Sequence, residues 1–210
     1  DRARGLFAGM LTRGYVTDQI DGQAALANIR DLELENGETG GLVQILAPLY
    51  GNPDVNLEQV FKLYATLKRA KTFDETGKEI DTPVRPEDFA LIEQIEQQHS
   101  EVVEVYNNYQ RWNNRLIEFA EKKGLLDSEQ AQMWRTHSSY YPFYKQMIDD
   151  ADMQGPRIAG GSLPNNPLSI KITGSEKPID ADPIEAISRN SLSILTAALK
   201  NDGTAKLLRD

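Results

Sequence analysis

The sequence has no cysteine and only two histidines, His99 and His137. The first absence excludes a disulfide scaffold and any thiolate metal site. The second leaves little from which to build an imidazole metal centre. No run of about 18 apolar residues occurs, so the stretch given holds no membrane-spanning helix. Excess positive charge is also lacking: 23 Lys and Arg stand against 32 Asp and Glu, for a net charge of -9. Such a chain does not track a phosphate backbone, and no direct nucleic-acid binding is expected beyond local basic patches. Motifs of catalysis are absent as well. Gly77-Lys78 lacks the upstream glycine and the following Ser or Thr of a phosphate loop and reads as a turn. Gly160-Gly161-Ser162 follows no strand pattern and is not a nucleophile elbow.

What is present is a series of helical patterns. A chain of 210 residues exceeds the common domain size of about 100 to 150, so it can bury a proper core as one elongated domain or as a domain with an arm. The start at Asp1 and the stop at Arg209-Asp210, inside a helical pattern, predict a piece of a longer chain. Thr17 or Asp18 is placed to cap a helix through Arg30, with Ile20, Ala24 and Ile29 on one side and Gly22 weakening it. Gly40 to Gly51 is a short apolar run broken by Pro48, read as a buried short helix rather than a strand. Asn52-Pro53-Asp54 marks a turn, and Asn56 caps a helix to about Lys71, with Val60, Phe61, Tyr64 and Leu67 at amphipathic spacing.

The longest predicted element opens at Pro86, favoured at a first helical position, with Glu87 and Asp88 at the positive end of the dipole. The spacing of Phe89, Ile92, Ile95, His99, Val102, Tyr106, Tyr109, Leu116 and Phe119 predicts one helix to Lys123, a rod of roughly 55 Å. Lys122-Lys123-Gly124 supplies its stop. Asp127 with Gln130 makes a capping-box-like start for the next helix. From Asp149 to Asp182 prolines and glycines interleave, a long irregular segment with an extended piece at Leu168 to Ile172. Asp182-Pro183-Ile184-Glu185 then combines an N-cap, a first-position proline and a capping-box glutamate, opening a helix that carries Ile187, Ile194, Leu195 and Ala198. The expected fold is therefore all-α. Residues 1–148 form an elongated helical bundle with one long helix over about 86–123. Residues 149–182 form a Pro/Gly-rich connecting arm, and 183–210 a helix leading into a further segment.

The most distinctive stretch runs from Trp134 to Lys145, where Trp134, Tyr140, Tyr141, Phe143 and Tyr144 crowd around His137 and Pro142. Residue chemistry favours core filling where a helix ends at a proline, since each aromatic buries about 150 to 250 Å². The alternative is a ligand-stacking or partner-docking platform. Glu96 and His99 have the E-x-x-H spacing of di-iron carboxylate bundles, yet that site needs a second such pair, and His137 follows Trp134 by three residues. The acidic run Glu87, Asp88, Glu93, Glu96, Glu101 and Glu104 reads as a solvated helix face. Lys62, Lys68, Arg69 and Lys71 read as an exposed basic face, the alternative being contact with an acidic partner or phosphate.

A resemblance rests on motifs in order: Val60-Phe61-Lys62-Leu63-Tyr64 with Lys68-Arg69-Ala70, a long helix with Tyr109 and Trp112, Lys123-Gly124-Leu125-Leu126-Asp127-Ser128-Glu129, and Tyr140-Tyr141-Pro142-Phe143-Tyr144-Lys145. It continues through Ile170 to Asp180 and Asp182-Pro183-Ile184-Glu185, ending near Asn201. Over roughly residues 55–210 the chain resembles the helical region of very large phage polyvalent or internal virion proteins. The family's aromatic motif reads closer to Tyr-Val-Pro-Phe/Leu-Tyr-Arg, from which Tyr141 and Lys145 depart. The resemblance implies a non-catalytic structural and interaction module, packaged in the capsid and delivered with the genome into the host cell. It also implies partners among other segments of the same large chain and other virion proteins, with homo-oligomers among the options. No cofactor, metal or catalytic residue is implied for this segment, since enzymatic activities in such proteins sit elsewhere. The competing classes are an accessory helical lobe of a phage nucleic-acid enzyme such as a virion RNA polymerase, a metal-dependent helical-bundle enzyme, and a prophage-borne defence protein acting in the host cytoplasm.

Overall fold

The computed structural model describes residues 2–20, 23–75, 77, 84–136 and 183–207. His137, the aromatic motif Tyr140, Tyr141, Pro142, Phe143, Tyr144 and Lys145, the arm over 149–182 and the cap residue Asp182 lie outside them. At several helix ends the backbone follows the local chemistry. Asn56 Oδ1 accepts the Gln59 amide at 3.1 Å and opens α3 (Leu57–Glu75). Asp127 and Gln130 exchange both capping-box bonds, at 2.7 and 3.1 Å, and open α6 (Ser128–Thr136). The helix read from Pro183 is present as α7 (Pro183–Leu207), and Ile187, Ile194, Leu195 and Ala198 are its buried apolar residues. The apolar run near Leu42 is helical, α2 (Leu42–Leu46) followed by a 3-10 turn over Ala47–Tyr50.

Two expectations fail. Residues 17 to 30 are not a helix. After α1 (Arg2–Thr12), β1 (Gly14–Ile20) and β2 (Gln23–Asp31) pair antiparallel, from Gly14 opposite Asp31 to Ile20 opposite Gln23. Only Asp21-Gly22 connects the strands, and the pairing sets Val16 opposite Ile29, with Val16 buried and Ile29 packed against the core. That cross-strand pair gives Ile29 a partner that a lone helix face would not. The fold is thus mostly helical with a small two-stranded sheet. The single rod over 86–123 is also broken. A 3-10 turn at Pro86–Phe89 leads into α4 (Ala90–Gln98), and His99 leaves helical geometry at φ -136°, ψ 63° before α5 (Ser100–Lys122). At 23 residues α5 is about 35 Å long. The apolar positions keep their spacing on both sides of the break, because α4 lays Ile92 and Ile95 into the same core that α5 fills with Val102, Tyr106, Tyr109, Leu116 and Phe119.

Among the described residues α5 is central: it touches β1, α2, α3, α4, α6 and α7. Its end is set by Gly124, whose φ of 69° suits glycine. The Gly124 amide bonds to Glu121 O at 2.8 Å and the Leu125 amide to Ala120 O at 3.0 Å, the pair of bonds of a Schellman motif.

Candidate functional site

Four polar side chains on or beside α5 tie it to other elements, three of them across long sequence separations. Trp112 is fully buried, and its indole N–H is shared between Met10 O at 3.1 Å and Gly14 O at 2.8 Å, fixing the junction of α1 and β1. A Cβ at residue 14 would collide with the backbone of Arg30 and Leu32, so glycine is required where the strands close over this indole. One helical turn earlier, buried Asn108 accepts the Glu35 amide at 3.0 Å and the Arg111 guanidinium at 3.0 Å, while Arg111 also donates to Glu33 O. These bonds pin the loop after β2, itself closed by the Glu33–Thr39 bridge.

The third tie is Lys123, whose side chain is only 8% exposed and whose ammonium meets Asp18 at 2.8 Å and Asp202 at 3.5 Å. Its backbone carbonyl accepts the Asn201 amide at 2.6 Å. One lysine at the C-terminal end of α5 therefore joins β1 to α7, at the end of the dipole where a cation is favoured. The fourth is Arg135, paired with Glu121 at 2.8 Å, which locks α6 to α5; that hydrogen bond, against the cost of burial, holds the Glu121 carboxyl below its usual range.

The E-x-x-H pair does not converge. Glu96 Oε1 accepts the Tyr64 hydroxyl at 2.8 Å and lies 3.6 Å from Lys68, whereas His99 sits in the helix break and faces Glu101 at 3.7 Å. Among the described residues no group of three or more His, Asp or Glu could hold a metal. Burial, then the bond to Glu96 and its charge, pushes the Tyr64 phenol well above its ordinary range. Lys62 pairs with Glu58 at 2.8 Å, Arg69 lies over the Phe73 ring and Lys71 is exposed, so the basic face of α3 is divided among separate partners. In the acidic run, Glu87, Glu93 and Glu96 are exposed, and Asp88 caps the Arg85 amide at 2.8 Å. Trp134, the one described member of the aromatic stretch, is half-buried and packs against the core.

One concave surface among the described residues is one that sequence reasoning missed. A groove of about 760 Å³ runs between the hairpin and the second half of α5. Arg115 lies 5.0 Å from the centre of the Tyr15 ring and donates to Glu118 at 3.0 Å, and Lys122 reaches Glu118 at 2.7 Å and Gln19 at 3.3 Å. Burial opposes ionisation of Glu118, but the hydrogen bonds from Lys122 and Arg115 outweigh it and hold its carboxyl below the usual value. Arg13 pairs with Asp31 at 3.1 Å across the far wall. The dipeptide Asp21-Gly22 was the signal for the hairpin, and with the hairpin came the groove. No family model, curated protein or solved structure matches the chain.

Proposed function

We propose that this chain is a non-catalytic structural and interaction module of a very large phage virion protein, packaged in the capsid and delivered with the genome. The observation that carries the reading is the use of its interior polar groups. Trp112, Asn108, Lys123 and Asn201 each bind a segment about 70 to 100 residues away in sequence, and together they tie α1, the hairpin, the loop after it and α7 to one helix. Such groups are engaged in cross-bracing, which suits a module that must hold its shape while neighbours bind it.

The sequence resemblance adds the identity of the larger protein. Its Lys123-Gly124-Leu125 motif coincides with the α5 stop, where three elements are clasped. In this reading the module is elongated, and the Pro/Gly-rich stretch 149–182 connects it to neighbouring segments of the same chain or to other virion proteins. Mass spectrometry of purified particles of the encoding phage tests it: peptides of this chain are expected at a fixed ratio to the capsid protein, and their absence from particles would overturn it. Deleting residues 155–178 is expected to leave the helical signal intact while abolishing co-purification with the parent chain's partners. Unchanged co-purification would remove the arm from the account.

A further inference from the structure

We propose that the outer edge of β2 is a strand-pairing surface for a second copy of this chain, held closed by Arg2 and Asn28. Among the described residues the sheet has two strands, so β2 is joined to β1 along one edge only. Backbone groups two residues apart on a strand point to the same edge. The Ala27 carbonyl accepts the Arg2 guanidinium at 3.2 Å, and the Ile29 amide donates to Asn28 Oδ1 at 2.8 Å. The Ile29 amide is thereby outside the ladder to β1, and the Ala27 carbonyl shares its edge. Each is a group that a third strand would use, and each is taken by a side chain instead. The ladder also passes from Thr17 opposite Asn28 to Gln19 opposite Ala24, so β2 bulges over residues 25–27. An edge blunted in these ways is kept from pairing with another chain.

In its side chains the strand suits pairing with itself. Ala24, Leu26 and Asn28 are exposed and alternate with the half-buried Ala25, Ala27 and Ile29. A Cβ on Gly9 would strike the Ile29 side chain, which places α1 under the half-buried face. The run from Gln23 to Ile29 carries no charged residue, so two copies laid antiparallel bring no like charges together along it. Alanine at 24, 25 and 27 leaves room for a second backbone beside the first. Leu26 stands in the middle of the run and is 73% exposed. Two antiparallel copies centred on this run bring their Leu26 side chains within reach of one another across the new ladder. That contact takes from water an apolar side chain that the single chain leaves there, and it is the self-complementary contact of a two-fold dimer. Main-chain bonds along the edge then supply the rest, as in other cases of strand addition.

The test is sedimentation velocity of the full chain over a wide range of concentration. Arg2→Ala with Asn28→Val releases the Ala27 carbonyl and the Ile29 amide and puts a strand former on the edge. This double variant should self-associate at least about tenfold more tightly than the wild type. Adding Leu26→Lys should return it to the wild-type level, because a lysine on an edge strand opposes pairing. In hydrogen exchange the Ile29 amide of the double variant should gain protection as concentration rises. Arg2→Ala alone changes only an exposed side chain, and it should shift association in the same direction by less. If the double variant does not fold, that single variant decides the question by the same measurement. A folded variant that associates no more than the wild type would overturn the proposal. Association that Leu26→Lys leaves unchanged would also overturn it, because the interface would then lie elsewhere. Neither result bears on whether the chain is found in phage particles, so this inference and the broader reading fail separately.

Discussion

The two ends of α5 are held in different ways. At the α3–α4 end the contacts are mostly apolar and aromatic: Phe61, Leu67, Ile92, Ile95 and Val102 are buried together, Tyr64 meets Tyr106 edge-on with ring centres 5.1 Å apart, and one hydrogen bond reaches the exposed Glu96. Towards the hairpin end apolar packing is joined by the indole bonds of Trp112 and the Lys123 clasp, with the Asn108 clamp on the loop after the hairpin nearer the middle of the helix. Two strands and a loop have few apolar residues to bury, so directional bonds fix their position. Packing area holds the first end, whereas specific bonds define the second. Loss of one partner should therefore be felt unequally at the two ends.

Trp112→Ala should have the largest effect. It removes a fully buried ring and orphans two carbonyls, and a loss of about 3 to 5 kcal/mol is expected in urea unfolding. Lys123→Met comes next, at about 3 kcal/mol, because it keeps the apolar stem but leaves Asp18 and Asp202 beside each other uncompensated. Restoring most of that loss with Asp18→Asn in the same chain would show the clasp to be the cause. Tyr64→Phe at the other end should cost only about 1 kcal/mol. It also carries a pH signature. The folded phenol titrates above its unfolded value of about 10, so its contribution is present below that pH and is lost as pH rises past it; the phenylalanine variant should show a shallower alkaline loss in the same unfolding series.

The smallest effect is acidic. Glu118 and Glu121 both titrate below their usual value when folded, so their contribution is present above the ordinary carboxylate range and fades as pH falls through the lowered values. With Glu118 partly exposed, Glu118→Gln should flatten the acid limb by only a few tenths of a kcal/mol.

The same contrast marks what could be read in advance. The starts at Asn56, Asp127 and Pro183 and the stop at Gly124 were legible because each depends on residues within one turn. The hairpin was obscured by the cap-like Thr17 and Asp18, although Ile20 and Ile29 fall on opposite sides of a helix and Asp21-Gly22 is itself a hairpin turn signal. The break at His99 was not legible, since apolar periodicity reads alike on both sides of an interruption that no proline or glycine marks. It also undid the apparent E-x-x-H pair, which requires Glu96 and His99 in one continuous helix. The groove was beyond reach for a different reason: Tyr15 and Arg115 are remote in sequence, and only the pairing of β1 with α5 brings them together.

Hydrogen exchange across the full chain, compared between the wild type and Lys123→Met, tests the division most directly. Under conditions where whole-molecule unfolding is rare, the amides of β1, β2 and the C-terminal half of α7 should exchange faster in the variant, with those of α3 and α4 unchanged. Equal acceleration at both ends of α5 would contradict the claim that specific polar ties hold the hairpin end and packing holds the other.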